Sequence, residues 1–320
     1  MAEIMASLKK LFAGYSMWFL LVLLYLGLGL LIPSILTPVN LQNIIVQGTV
    51  VGCLSLGMAF VILVGNIDLS MIAIAGFAPL IGIYSMEILG FPFFAGIIVA
   101  LLTGASVGLF NGLMVEKVKI PSLIQTLISW WIFWGLVLIL TGGEVKSTFS
   151  PEWNWVGTAW VGPIRAVIIL FVLVVVIVCL FASYSKTGLR FYLTGGNRVS
   201  AQAAGINTSN IVILAFVTSG TMAAIAGYIL SARLGLVSPR FAEEWFMPAI
   251  AAPVISGFSL TGGRGNFINV IAGAYIVQII VVAVRLAGLG GWYEQLTQGL
   301  LILIAVLIDI FRKRMMGIKA

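Results

Sequence analysis

The chain has 320 residues, of which 61% are hydrophobic and only 8% are charged, and its net charge at pH 7 is +7. An average soluble domain carries about 25% charged residues, so this composition excludes a water-soluble protein and predicts one that lies in a bilayer. Histidine is absent and cysteine occurs twice, which leaves no material for a Cys/His metal site or a disulfide framework.

Ten apolar stretches, separated by Pro, Gly and charged residues, predict ten membrane-spanning helices. They cover residues 12–35, 44–65, 69–89, 93–115, 121–141, 164–183, 211–232, 248–261, 267–288 and 293–311. An even count puts both termini on one side, and that side collects twelve of the 17 basic residues. The positive-inside rule makes it the cytoplasm. The sequence therefore predicts an all-α integral membrane protein, built as a single transmembrane unit over residues 1–320.

Asp68 and Ser70 stand at a break between the second and third predicted helices. A carboxylate in a membrane is costly and often functional, but an acid and a hydroxyl before a helix also satisfy its free N–H groups. The cap is the favoured interpretation, and an ion-coupling or substrate role is the alternative. Residues 66–70 also align with residues 257–261, a weak internal repeat of the kind that transporters carry.

Six polar and aromatic side chains of the fifth predicted helix recur at spacings that place them on one helical face. They are Ser122, Gln125, Thr126, Ser129, Trp130 and Phe133. Hydroxyls and an amide beside aromatic rings would suit a path for a polar, ring-shaped solute. The alternative is packing with hydrogen bonds between helices.

The longest polar interruption covers residues 184–210, on the predicted cytoplasmic side. A basic, glycine-containing loop of this length is expected to meet a partner. The glycine-rich stretch 262–265 lacks the Lys-Ser/Thr of a phosphate-binding loop and follows no strand, so it predicts a tight turn and no nucleotide site. A nucleophile–base pair or carboxylate dyad cannot be assembled from the sequence, which disfavours an enzyme.

Short motifs follow one another in a characteristic order along nearly the whole chain. They are Gly65-Asn66-Ile67-Asp68-Leu69-Ser70, Gly108-Leu109-Phe110-Asn111-Gly112 with Val118-Lys119-Ile120-Pro121, Leu140-Thr141-Gly142-Gly143, Thr187-Gly188-Leu189-Arg190 with Gly195-Gly196-Asn197 and Ala203-Ala204-Gly205-Ile206, and the run from Ser256 to Gly265. In this order the chain resembles the membrane permease subunits of bacterial ABC importers for simple sugars, the ribose, xylose and galactose group, which also includes permeases for autoinducer-2. Asn66, Pro253 and Phe258 depart from the family pattern, so the resemblance does not carry the identity of the solute.

The resemblance implies a second permease subunit, identical or not, two cytoplasmic ATPase subunits that hold ATP and Mg²⁺, and an extracytoplasmic solute-binding protein. The permease itself would bind no cofactor. The loop at 184–210 would contain short helices that couple to the ATPase. The expected coupling residues are Gly195, Gly196, Asn197, Arg198, Ala203 and Gly205. Gly and Asn tolerate positive φ, which would let two short helices reverse direction at 195–197.

The predicted function is thus the transmembrane permease of an ATP-driven importer in the bacterial plasma (inner) membrane. Its solute is small and polar, with a monosaccharide favoured and autoinducer-2 as the alternative. A secondary transporter or channel that uses Asp68 to couple an ion is the rival from another class, although such a protein should carry more ionisable residues in the membrane. The outer loops 142–163 and 233–247, rich in acids and tryptophan, are expected to dock the binding protein.

Overall fold

The computed structural model describes residues 2–148 and 150–315. The helices in these residues are α1 (Ala2–Leu31), α2 (Pro38–Leu63), α3 (Met71–Glu87), α4 (Phe93–Leu113), α5 (Ser122–Thr141), α6 (Pro151–Thr158), α7 (Ala166–Tyr184), α8 (Lys186–Gly196), α9 (Arg198–Ala203), α10 (Thr208–Leu234), α11 (Phe246–Ile255), α12 (Phe267–Leu286) and α13 (Gly291–Met315). The strands are β1 (Lys146–Ser147), β2 (Trp160–Val161), β3 (Ile164–Arg165) and β4 (Leu236–Val237). The protein is therefore almost entirely helical.

Each of the ten predicted helices has a helix at its position, and α6, α8 and α9 are additional short helices in the polar loops. Within the described residues, six helices are long and apolar enough to cross a membrane. They are α2, α4 with the π-helical turn that extends it to Val118, α5, α7, α10 and α12. Helix α3 has 17 residues and α11 has 10, which is short of a full span. A count of ten spans with both termini in the cytoplasm stays a prediction.

Helix α2 lies at the centre of the molecule. Its most apolar window is 89% buried, whereas that of α5, with the same mean hydropathy of 2.0, is only 22% buried. Helix α2 differs from α5 in its small residues: its glycines let side chains of neighbouring helices pack directly against the backbone. A side chain at Gly48 would overlap the Tyr275 ring, and one at Gly52 would overlap the Phe171 ring. Hydropathy alone therefore cannot separate a central helix from a peripheral one.

Helices α4 and α10 cross through glycine contacts. A Cβ at Gly104 would overlap the carbonyl oxygen of Gly220, and a Cβ at Gly220 would overlap that of Gly104. One turn further along α4, Gly108 lies against the Phe216 carbonyl in the same way. Close backbone approach at small residues is a common way to pack helices in membranes, where burial of apolar surface gives little driving force.

The chain breaks after α2 and after α11 in the same way. The N–H groups of Gly65 and Gly257 each bond the carbonyl three residues back, and the next residue bonds the carbonyl five residues back. Both glycines have positive φ, as a Schellman-type helix end requires. The equivalent positions in the two helix ends are thus Gly65 and Gly257. The internal repeat proposed from the sequence, which aligned residues 66–70 with 257–261, is shifted from this structural equivalence by one residue.

The two outer loops are joined by short strands. Strand β1 pairs with β4 in antiparallel register, with Lys146 opposite Val237. Helix α6 packs against α10, because the indole of Trp153 is fully buried and donates to the Ser231 hydroxyl of α10 at 3.0 Å. Strands β2 and β3 form a hairpin with Trp160 opposite Arg165. The loops therefore form one folded cap on the predicted outer side.

Candidate functional site

Asp68 lies at the centre of a buried polar network. Its Oδ1 accepts hydrogen bonds from the Ser70 hydroxyl at 2.6 Å and the Ser70 backbone N–H at 3.0 Å. Its Oδ2 accepts from the Ser219 hydroxyl of α10 at 2.7 Å. All three side chains are fully buried. The carboxylate therefore braces the turn before α3, where Ser70 is the N-cap residue and makes no side-chain cap bond of its own.

The network continues onto α4 and α5. The Asn111 amide donates to the Ser70 hydroxyl at 2.8 Å, and its Oδ1 accepts from the Ser129 hydroxyl at 2.5 Å. The Gln125 amide donates to Ser129 at 3.1 Å and to Asn111 at 3.3 Å. One set of hydrogen bonds thus joins the break after α2 to α4, α5 and α10. Asn111 was not identified as a site residue from the sequence, since an isolated Asn in an apolar helix gives no indication of its partners.

The polar face of α5 is turned into the protein. Gln125, Thr126 and Ser129 are buried, and the Thr126 hydroxyl donates to the Ser122 carbonyl at 2.8 Å. By contrast, Leu127 and Ile128 on the opposite face are 44% and 45% exposed. In this conformation the polar side chains are used for packing and hydrogen bonds within the protein, which is the alternative to a solute path. Their part in lining a path stays a prediction.

The two aromatic residues of the predicted path pack on different neighbours. The Trp130 ring lies 4.8 Å from the Phe246 ring at the start of α11, and the Phe133 ring lies 5.2 Å from Phe77 on α3. Phe133 also lines an open groove of about 450 Å³ between α3, α4 and α5. Aromatic rings and the hydroxyls of Thr103 and Ser106 share this groove.

Helix α8 is anchored to the ends of α2 and α11 through backbone contacts. A Cβ at Gly195 would overlap the Leu63 carbonyl oxygen and would lie 2.6 Å from the Gly263 nitrogen. That same Leu63 carbonyl accepts a hydrogen bond from the Gly263 N–H at 2.8 Å. Phe191 is fully buried with its ring 5.1 Å from that of Phe60. The glycine-rich stretch 262–265 is therefore a turn that packs against α8.

The reversal between α8 and α9 does not use positive φ, contrary to the prediction for residues 195–197. Gly195 and Gly196 end α8 in helical conformation, and Asn197 is extended with φ −157°. The Asn197 side chain instead caps α9 by accepting from the Ser200 N–H at 2.9 Å. Positive φ occurs after α9, at Gly205. The direction change between α8 and α9 therefore depends on an N-cap. The sequence indicates it through Asn197, a preferred N-cap residue that stands directly before α9.

Glu116 anchors α9 to α4 and was missed at the sequence level. Its side chain is 3% exposed, and it accepts from two Arg198 nitrogens, with Nη1 at 2.9 Å, and from the Ser209 hydroxyl at 3.0 Å. The Lys119 ammonium lies 3.5 Å away. A buried carboxylate requires such partners. One indication of this role is present in the sequence. Glu116 is a single acid close to two lysines, and the basic loop at 184–210 contains no acid of its own to pair with its arginines.

The residues beyond this anchor point away from the protein. Ala203, Ala204 and Gly205 are exposed, and Val199 is 76% exposed, whereas Ala201 is buried. Small and apolar side chains thus form a protruding surface on α9 and the turn after it. We call Val199, Ala203 and Ala204 the α9 surface.

The outer cap exposes part of the acidic and aromatic set. Trp155 and Trp160 are about half exposed, and the Trp160 ring lies 4.7 Å from the Arg165 guanidinium, while Trp153 is buried and unavailable to a partner. Hydrogen bonds from its own backbone and from the Ser150 hydroxyl hold the pKa of the exposed Glu152 carboxyl below its usual value. Glu152 is therefore an anion at neutral pH.

The family model described as "Branched-chain amino acid transport system / permease component" matches residues 40–306. The chain is 33% identical over 291 residues to the ribose import permease protein RbsC of Bacillus subtilis, covering 90% of both chains. It is 30% identical to RbsC of Escherichia coli K12, covering 87% of both. It is 33% identical to the autoinducer 2 import system permease protein LsrC of Yersinia enterocolitica, covering 80% of this chain and 71% of that one.

A solved structure has a similar fold. It is a metal-chelate type ABC transporter in an inward-facing conformation, with a TM-score of 0.50 and 16% sequence identity. The match covers 92% of this chain and 98% of that one. At this identity the likeness concerns the fold alone.

Adjacent glycines test the anchoring of α8. Replacing Gly195→Ala should lower the free energy of unfolding by about 1–3 kcal/mol, because the new methyl group overlaps the Leu63 carbonyl. Gly196→Ala is the matched control, since nothing lies within 4 Å of its Cβ. Thermal unfolding of the purified variants in detergent measures both. Equal stability of the two variants would contradict the contact.

Proposed function

Because the chain belongs to the family of transport system permease components, we propose that it imports a small, neutral, hydroxylated solute, with a monosaccharide favoured, as the permease of an ATP-driven complex. The observation that carries this proposal is the 33% identity to a ribose import permease over 90% of both chains. It fits a multi-pass protein of the bacterial inner membrane. The permease would alternate between outward-open and inward-open states, and its partner would shift the balance between them.

ATP would be hydrolysed on separate cytoplasmic subunits that carry ATP and Mg²⁺. The α9 surface is the proposed contact with them. Its support is physical: the surface protrudes, while Arg198 and Gly195 tie the same loop to α4 and to the ends of α2 and α11. A force on α9 would therefore reach the membrane helices through short, rigid contacts.

The proposed path for the solute lies at the interface with a second permease subunit and involves α5. Trp130 and Phe133 would contribute its aromatic surface. Gln125, Thr126 and Ser129, with Ser122 below them, would act through the hydrogen-bond network that holds α5 against α3 and α4. Both termini would lie in the cytoplasm. The remaining surface of α5 and α7, which is mostly exposed and apolar, would face lipid or the second subunit.

The outer cap is the proposed docking surface for an extracytoplasmic solute-binding protein. Glu144, Glu152 and Glu243 present exposed or half-exposed carboxylates there, beside Trp155 and Trp160. Such a mixture of charged and aromatic groups is typical of an interface between proteins.

Autoinducer-2 is the second candidate solute, favoured by the 33% identity to LsrC. It shares with monosaccharides a small size and several hydroxyl groups, so the same polar contacts would recognise it. Uptake measured separately with each labelled compound distinguishes the two.

Asp68→Asn separates ATP-driven import from an ion-coupled secondary transporter. Every partner of Asp68 is a hydroxyl or N–H group, and an Asn side chain of the same shape can keep the Ser70 bonds and donate to Ser219. We expect ATP-dependent uptake within roughly twofold of the wild type, equal to less than about 0.5 kcal/mol.

Asp68→Leu is the control for this test, because it leaves buried hydroxyls unpaired at a cost of about 1–3 kcal/mol and should reduce the yield of folded protein. Uptake by right-side-out vesicles gives the readout. A folded Asp68→Asn permease that has lost uptake would support the ion-coupling rival.

Ala203→Trp tests the coupling surface. Ala203 is exposed in α9, so a bulky ring there should block the ATPase without disturbing the fold. We expect recruitment of the ATPase to fall at least about tenfold, equal to ~1.4 kcal/mol, and ATP-dependent uptake to be lost. Co-purification with the tagged ATPase measures recruitment.

Tyr184→Trp is the matched control, since Tyr184 is 84% exposed on the same side but lies outside the α9 surface. Gly205→Trp is less suitable, because φ of +79° strains any side chain there. Normal recruitment by Ala203→Trp would rule out α9 as the coupling element.

A further inference from the structure

A cavity of about 810 Å³ opens between the segment at 240–247 and the first turns of α13. Sites for small molecules usually have volumes of about 300–1,000 Å³. Gln298 lies seven residues into α13, so the cavity extends about 10 Å along this helix from its outer end. Helix α11, which begins at Phe246, is only 10 residues long. Interrupted helices of this kind are common at the solute sites of transporters.

Gln298 is the buried polar group of this cavity. Its side chain is 9% exposed and lines the cavity, and it has no hydrogen-bond partner among the described residues. Its amide atoms are not among the fully enclosed, unpaired polar atoms of the described residues, so they face the open space of the cavity. Gln298 offers both a donor and an acceptor, so a ligand with hydroxyl groups would satisfy it.

The charged groups of the wall favour a neutral ligand over an anion. Glu243, Glu244 and Glu294 line the cavity, against one basic residue, Arg240. Both carboxylate oxygens of Glu294 accept hydrogen bonds from Arg285, at 3.0 and 2.9 Å, so this carboxylate is held in place. Arg240 lies 4.0 Å from Glu243, and Arg285 lies 3.8 Å from Glu244, so three carboxylates face two arginines. Hydroxyl groups donate to carboxylates, and the excess of one carboxylate disfavours a phosphate or carboxylate ligand.

An aromatic ring stands at the rim. Trp292 is 84% exposed and lines the cavity beside the polar groups. The apolar face of a sugar ring can stack on such a side chain while its hydroxyls bond to Gln298 and the acids. The wall therefore combines an aromatic surface with hydrogen-bonding groups, of which one is buried and unpartnered.

We propose that this cavity is the outer receiving site of the permease, where a neutral monosaccharide released by the binding protein contacts Gln298, Glu294 and Trp292 before it crosses the membrane. This inference rests on the proposed function and deepens it, because it assigns the site and excludes phosphorylated sugars. Glu243 belongs to both the proposed docking surface and the cavity wall. The proposed contacts Gln298, Glu294 and Trp292 lie outside the docking and coupling surfaces.

Ligand protection of an introduced cysteine tests the site on the full-length permease in nanodiscs. The background carries Cys53→Ala and Cys179→Ala. Gln295→Cys, which lines the cavity but is not one of the proposed contacts, is labelled with an uncharged, water-soluble thiol reagent. Ribose, xylose and galactose are added separately at high concentration, as is ribose 5-phosphate. Val145→Cys, which is 55% exposed in the outer cap and outside the cavity, is the matched control.

We expect at least one neutral sugar to slow the labelling of Gln295→Cys twofold or more, without effect on Val145→Cys, and ribose 5-phosphate to give no protection. Absence of protection by all three sugars would overturn the inference. Equal protection by ribose 5-phosphate would overturn it too, because the charge of the wall would then not select the ligand.

Gln298→Leu provides an independent measurement in the assembled transporter. Uptake at saturating solute should fall, while stimulation of ATP hydrolysis by the binding protein stays normal, since Leu keeps the shape of the side chain but makes no hydrogen bond. Normal uptake by Gln298→Leu would contradict the site and leave the proposed function intact. If the assembled wild-type transporter showed no ATP-dependent uptake, the proposed function would instead be wrong.

Discussion

The carbonyl of Leu63 is the point on which the packing of the loop at 184–210 depends. It ends α2, accepts the Gly263 N–H of the turn after α11, and lies directly beneath Gly195 of α8. Only glycine allows three backbone segments to approach this closely. The contact brings together the central helix, the second chain break and the loop at 184–210, so these parts cannot shift independently without losing it.

Two further sets of contacts extend this constraint through α4. On one side, Asn111 ties α4 to the Asp68 network and to α5. On the other, Glu116 ties the end of α4 to Arg198 of α9. A π-helical turn, Met114–Val118, lies between Asn111 and the end of the helix. Such turns are frequent at functional positions. The C-terminal end of α4 thus connects the buried network to the proposed ATPase surface, through the hydrogen bonds of Asn111 and Glu116.

The sequence predicted the position of every long helix, because apolar runs ended at Pro, Gly and charge. It also predicted that residues 184–210 would hold short helices. It did not predict which face of α5 is buried, since a polar stripe in a membrane helix suits a water-filled path and an interhelical network equally. The partners of Glu116 and Asn111 are 82 and 18 residues away, at Arg198 and Ser129. Contacts over such distances leave no local pattern, and neither does the unpartnered amide of Gln298.

The most direct test of an ATP-driven permease is uptake of a labelled neutral sugar by proteoliposomes that contain the chain, its ATPase and its binding protein. The structure ties the loop at 184–210 to the interior and provides few ionisable groups in the described membrane helices, so uptake should require ATP and all three components. A proton or sodium gradient alone should drive none. Uptake by the permease without the ATPase, driven by an ion gradient, would contradict this account.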